Sequence, residues 1–248
     1  MEYRLEHHSN NLNLIIMYTK HKIVLILFAM LLSISSCETL DLDVNNDPNN
    51  ASPSNSDINL LLNGALLNFT NWIGEEDEDN RDGFEAGMEV IRMLHMYGPL
   101  YDNAYTPGEF DDIWTQAYAG HLSDIKTIKS IASENELYHH IGVAQIIESY
   151  TLTVLVDYFG DIPYSEALLG AENFNPKLDD SESVYAEALS LLNEAIANLN
   201  LSPANSIGST GDLFYFGETE KWVTLAKTLK LRIYNNTRLV NPNALTEI

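Results

Sequence analysis

From residue 58 onward, apolar side chains recur at steps of three and four, the spacing that lines them up on one face of an α-helix. Ile58, Leu61, Leu62, Ala65, Leu66 and Phe69 form the first stripe. Ser56 or Asp57 stands where a side-chain oxygen would accept from the free N–H groups of the first turn. A second helix is expected over about 84–96, with Met88, Ile91 and His95 on one side. A third begins near Asp111 and turns Trp114, Ala117, Tyr118, His121, Leu122, Ile125 and Ile128 to one face. The stretch 137–159 is apolar nearly all round beyond Tyr150, which assigns it to the middle of the fold; Gly160 and Pro163 stop it. A fifth helix from near Ser181 carries Val184, Ala188, Leu191, Leu192, Ala195, Ile196 and Leu199, and a sixth from about Glu220 carries Trp222, Leu225, Ala226, Leu229 and Ile233. Strand-type alternation is almost absent, and 213–216 is at most a short extended piece. The pattern predicts an all-α fold of antiparallel helix pairs.

Two of these helices carry repeat-like spacing. Trp222, Leu225, Ala226 and Leu229 approach the Trp-x2-Leu-Gly-x2-Tyr opening of tetratricopeptide repeats, and Trp114, Ala117 and Tyr118 echo it. A large side chain wedges between helices while a small neighbour lets them approach. The two matches are not separated by a whole number of repeats, so the expectation is degenerate repeats. At the other end, Asn241-Pro242 reads as an N-cap and first-position proline opening a further helix that has no second turn. A truncated helical domain over 57–248 is therefore expected.

The first 56 residues follow a different pattern. Lys20 and Lys22 precede an uninterrupted apolar run over 23–32, too short to span a bilayer, and small residues then lead to Cys37. Translation is expected to start in effect at Met17, because the preceding residues are polar. Ile34-Ser35-Ser36-Cys37 resembles the lipobox of bacterial lipoproteins, in which the thiol takes a diacylglycerol and the chain is cut before the cysteine. Residues 1–36 are thus expected to be a signal peptide. Residues 37–56, rich in Asp, Asn, Pro and Ser, are expected to form a lipidated acidic tether. The acidic residues after Cys37 resemble the surface-export signal of lipoproteins from Bacteroidetes. Cys37 is the only cysteine, so a lipid on it leaves no disulfide and stability rests on packing.

Charge narrows the partners. With 36 Asp+Glu against 13 Lys+Arg, the net charge is −23, which repels nucleic acid and anionic lipid and suits neutral or cationic ligands, or a protein with basic loops. Aromatic residues at 10% and regular apolar spacing separate the chain from a disordered acidic tail.

The lipobox, the Asn/Asp/Pro tether and the repeat-type helices together resemble the SusD/RagB outer-membrane lipoproteins. Asp157-Tyr158-Phe159-Gly160-Asp161-Ile162-Pro163 is similar to that family's Phe-Gly-Asp-Ile-Pro turn. Lys221-Trp222 through Lys230-Leu231-Arg232 is similar to its Trp-x2-Leu/Phe-Ala-x2-Leu-Lys-x-Arg helix, and Trp114 to Ile128 fits its Trp–Tyr–Ile helix. The resemblance spans 37–248 but only the N-terminal part of a family chain. It implies a cell-surface subunit of the outer membrane, held through its lipid. Such a subunit caps a SusC-like TonB-dependent transporter, captures oligosaccharide or, in some branches, peptide, and does no chemistry. The rival readings are a helical protein–protein scaffold without a small ligand, and a helical glycoside hydrolase.

Three motifs carry possible ligand chemistry. Tyr97, Tyr101, Asn103 and Tyr105 sit in an aromatic and polar loop whose rings can stack on sugar faces while Asn103 binds hydroxyls; tyrosines also pack loops onto cores. Glu78, Asn80, Asp82, Gly83 and Glu89 approach the twelve-residue calcium loop. Glu78 in place of Asp and Glu85 in place of an aliphatic residue favour a solvated acidic loop, with calcium the alternative and no other cofactor implied. In the 159–163 turn, Gly160 is expected in a left-handed cap, Asp161 on nearby N–H groups and Pro163 fixing the exit. His139 and His140 point to different sides of one helix and make a poor metal pair. No nucleophile–base set and no phosphate-cradling glycine loop is present in the sequence.

Overall fold

The computed structural model describes residues 20–22, 57–74, 83–95 and 106–247. The chain divides into two compact units, 1–50 and 51–248. Of the first only residues 20–22 are described, as helix. The second is all-α: among the described residues there is no strand, and the one ladder contact is an isolated antiparallel bridge between Ile162 and Asp179. No described helix is long and apolar enough to cross a membrane.

Helix α1, Ile58–Gly74, is capped by Asp57, whose Oδ1 accepts from the Asn59 N–H at 2.9 Å. Its expected stripe is buried at Leu62, Ala65, Leu66 and Phe69 and extends to Trp72, whose indole N–H donates to the Ile113 carbonyl at 2.8 Å. Helix α2 is shorter than expected: it runs Gly83–Val90 and does not reach 96. Arg92 takes φ +62°, its N–H returns to the Glu89 carbonyl, and the Met93 N–H returns to the Met88 carbonyl. That is a Schellman stop with arginine in the place usually held by glycine, and it leaves Ile91 and Met93 exposed.

The expected third helix is broken in the middle. A 3₁₀ turn, Pro107–Phe110, leads into α3, Asp111–Thr115, then a π-turn, Gln116–His121, and then α4, Leu122–Glu134. The kink is at Gly120, with φ −92° and ψ −117°. The face read from the sequence survives it, because Ala117, His121, Leu122, Ile125 and Ile128 are all buried.

Helix α5, Tyr138–Phe159, is buried on nearly all sides from Gly142 to Val156 and packs against α1, α4, α6 and α7. Helix α6, Ser181–Leu199, forms the most extensive helix–helix contact with it. Asp180 caps α6 by accepting from the Glu182 N–H at 3.0 Å. Gly142 sets their separation: a Cβ there would lie 2.7 Å from Leu199 Cγ and 3.0 Å from the Ala195 carbonyl oxygen. Leu199 is itself buried, so it has nowhere to move. Gly142→Val is expected to lower stability by about 2–3 kcal/mol through overpacking, read as a lower guanidinium midpoint at unchanged slope.

Helix α7, Thr219–Thr237, buries Trp222, Ala226, Leu229 and Ile233. The 213–216 segment before it is a turn, not the extended piece expected. The Asp212 carboxylate accepts from the N–H groups of Phe214, Tyr215 and Gly217 at 3.0, 3.1 and 3.0 Å. It also accepts from the Trp222 indole at 2.7 Å. A short α8, Ala244–Glu247, follows Asn241, whose side chain accepts from the Asn243 N–H at 3.0 Å as the Asn-Pro cap predicts.

Candidate functional site

A cleft opens where the C-terminal end of α5, the first turns of α6 and the last turn of α7 meet. It encloses about 650 Å³, within the range of small-molecule pockets. Its apolar wall is Val156, Leu189, Ile233 and Val240. Asp157, Glu182, Tyr185, Asn236 and Asn241 supply its polar groups, with Ser181 and Thr237 at the edges. An apolar surface with several converging donors and acceptors suits a molecule that has both apolar faces and hydroxyl groups.

All of these polar groups but Asn241, which lies between α7 and α8, are placed by their helices. Asp157 follows Val156 as α5 emerges from the core, and it accepts a hydrogen bond from the Tyr185 hydroxyl. The other Asp157 oxygen lies 3.6 Å from the Arg232 guanidinium, which also stacks over the Tyr150 ring at 5.3 Å. Burial, then the bond to Asp157 and its charge, push the Tyr185 phenol up to about 12, against the opposing effects of Asn236 and Arg232. Tyr185 therefore remains a neutral donor through the physiological range and holds the Asp157 carboxylate in a fixed direction.

The signature turn after α5 sits beside this cleft. Gly160 has the positive φ expected, +76°, but with ψ −116°, so it is not in the left-handed helical region and the conformation suits glycine alone. Asp161 behaves as expected, accepting from the Ser181 N–H at 2.9 Å, and buried Pro163 offers its carbonyl to the Tyr118 hydroxyl at 2.6 Å. Asp179 completes the turn by accepting from the Tyr164 and Ser165 N–H groups at 3.0 and 2.7 Å. Burial would raise its carboxyl, but the Ser165 and Tyr164 bonds and nearby Lys177 hold it below the ordinary value. The turn is a structural clasp joining α5 to α6. Gly160→Ala is expected to cost about 1–2 kcal/mol, seen as a lower melting temperature.

A smaller cavity of about 260 Å³ lies under the 164–168 segment and is lined by Tyr118, Lys126, Lys129, Glu148 and Tyr164. Its groups are mutually satisfied: Lys129 pairs with Glu148 at 2.5 Å, Lys126 donates to the Leu168 carbonyl and the Tyr164 hydroxyl reaches Glu187. Burial raises the Glu148 carboxyl despite Lys129.

Of the residues selected from the sequence, Cys37, Tyr97, Tyr101, Asn103, Tyr105, Glu78, Asn80 and Asp82 lie outside the described residues. Glu89 is described; it is buried near the end of α2. No group of three His, Cys, Asp or Glu side chains among the described residues could hold a metal ion. His139 and His140 have separate partners, the Leu201 carbonyl and the Asn59 side chain. The cleft residues escaped the sequence reading because 157, 185 and 236 come together only through packing. The one local signal was the polar run Asn235-Asn236-Thr237 ending an otherwise periodic helix.

A family model described as "Starch-binding associating with outer membrane" matches residues 48–244. Among solved structures, a SusD/RagB family protein from Bacteroides thetaiotaomicron aligns with a TM-score of 0.66 at 21% identity, over 77% of this chain and 40% of that one. A chitin-binding SusD homolog from Flavobacterium johnsoniae aligns with a TM-score of 0.59 at 22% identity, over 76% and 41%. A SusD homolog from Bacteroides uniformis aligns at 0.57 and 20%, over 74% and 39%. These likenesses show the fold, helix pairs of degenerate tetratricopeptide-repeat type, and the chain spans about two fifths of the length of those structures. No curated protein matches the chain. With its signature turn, its Trp222 helix and a family match across most of its length, the chain belongs to the SusD-like family of starch-binding proteins that associate with the outer membrane.

Proposed function

We propose that this protein is a surface lipoprotein that captures oligosaccharide and hands it to a TonB-dependent transporter in the same membrane. The observation that carries the reading is the cleft: apolar wall, tyrosine and amide groups converge in one 650 Å³ concavity of a chain whose family binds starch. Sugars offer apolar ring faces and many hydroxyls, and such a surface meets both without bond-breaking machinery. The protein binds and does no catalysis. Cys37 carries the lipid, residues 1–36 are removed and 37–56 form the tether. Tyr97, Tyr101, Asn103 and Tyr105 add a second contact to the sugar. Calcium at Glu78, Asn80, Asp82 and Glu89 is disfavoured, because Glu89 is buried in a helix that ends one residue later.

The test uses native gels cast with soluble starch or glycol chitin, and expression of the full chain in a Bacteroidetes host. The protein is expected to be retarded by at least one polysaccharide, to copurify with a transporter and to leave the membrane fraction as Cys37→Ser. Equal migration in all gels, with transporter binding intact, would favour the scaffold reading instead.

A further inference from the structure

We infer that the cleft selects its glycan by charge, admitting neutral and amino-bearing sugars and rejecting uronate or sulfated ones. The inference rests on the glycan reading above and goes beyond it. Among the described residues, the charged groups lining the cleft are two carboxylates, Asp157 and Glu182, with no lysine or arginine. The Arg232 guanidinium is engaged on the Asp157 oxygen turned from the Tyr185 bond and on the Tyr150 ring, and the Arg238 guanidinium donates to the Asn235 carbonyl at 2.6 Å. An anionic sugar would need a cation that the cleft does not supply.

A helix N-terminus attracts anions through its outward-pointing N–H groups, and that of α6 opens on the cleft. The protein's own carboxylates already fill that position. Asp161 takes the Ser181 N–H at 2.9 Å and the Asp180 side chain takes the Glu182 N–H at 3.0 Å. The Asp180 carbonyl takes the Val184 N–H at 3.1 Å. The helix end is neutralised, and Asp161, Asp180 and Glu182 leave that edge negative. Exposed Glu182 is the group best placed to meet a ligand ammonium, since Asp157 is committed to Tyr185 and Arg232. The net charge of −23 adds the same sign at longer range.

The experiment titrates the full chain with three probes of equal length: chitin hexasaccharide, chitosan hexasaccharide and hexagalacturonate, at 20 and 300 mM salt. Chitin and chitosan are expected to bind. Chitosan should weaken several-fold as salt rises, and hexagalacturonate should bind at least tenfold more weakly than either. Glu182→Gln should remove most of the salt dependence for chitosan, and at 20 mM salt it should weaken chitosan several-fold more than chitin. Hexagalacturonate binding as tightly as chitin, or Glu182→Gln leaving the chitosan salt dependence intact, overturns the charge rule while the glycan reading stands. Failure of all three probes, checked against starch oligosaccharides and their carboxylated forms, removes the glycan reading and the charge rule with it.

Discussion

Asp212→Ala is expected to lower stability by about 3–5 kcal/mol, the largest effect of any single substitution outside the hydrocarbon core. Four donors converge on this carboxylate, three backbone N–H groups and the indole of Trp222, at 2.7 to 3.1 Å. Asp212 and Trp222 are 1% and 0% exposed, so water cannot replace the lost acceptor without opening the core. Trp222 also stacks on Phe214 at 5.8 Å between centroids, and loss of the turn releases that contact too. Asp212→Asn distinguishes charge from shape. One of its two oxygens becomes an N–H₂ group facing donors, so about half the loss is expected. Denaturant midpoints for the pair check this, and an alanine variant within about 1 kcal/mol of the parent would show that the turn is held by something else.

Acid is expected to weaken the fold well above the range where carboxylates protonate. His121 and His140 are both essentially buried, and burial lowers each ring to about 4. For His140 the neighbouring His139 lowers it further and Asp57 opposes. The Thr151 hydroxyl donates to the Ile147 carbonyl, so its oxygen is left to accept from His121 Nε2–H at 2.9 Å. That fixes the neutral tautomer, and neither ring's Nδ1 has a hydrogen-bond partner. The folded state therefore holds the neutral rings while the unfolded chain takes protons near the ordinary value of 6.5. The stabilisation is complete above that value and is lost as pH falls from 6.5 towards 4. At pH 5 the loss is about 2 kcal/mol for each ring. Burial raises the carboxyls of Glu148 and Asp124, which act in the opposite sense at the lower end of this window. Guanidinium unfolding at pH 7.5, 6 and 5 should show a steady fall; a flat profile would mean that the rings find proton-accepting partners on protonation.

The elements legible in the sequence are those whose apolar spacing alone decides the outcome. The stripes of α1, α6 and α7, and the all-round apolar α5, are buried where the spacing places them, because burial of a continuous face dominates local preference. The errors fall where one residue overrides the pattern. Ile91 and His95 continue the helical spacing of α2, yet Arg92 adopts a backbone conformation that nothing in its side chain announces. Leu213 to Phe216 look strand-like in composition, but a carboxylate one residue earlier gathers their N–H groups into a turn. Tyr118 was placed on the core face, and it does pack there, but its hydroxyl also anchors the signature turn at Pro163. The cleft was the least legible part. Asp157, Tyr185 and Asn236 are ordinary residues in three helices, and only the approach of α5, α6 and α7 makes them a site.

Mapping a bound glycan onto the backbone amides of the full chain tests the central claim most directly. Amide hydrogen exchange would be followed with and without a saturating oligosaccharide that retards the protein in native gels. The account predicts new protection concentrated at residues 181–186 and 236–241, the two walls of the cleft, and its loss in Asn236→Ala. Protection confined to other parts of the surface, with 181–186 and 236–241 unchanged, would contradict it.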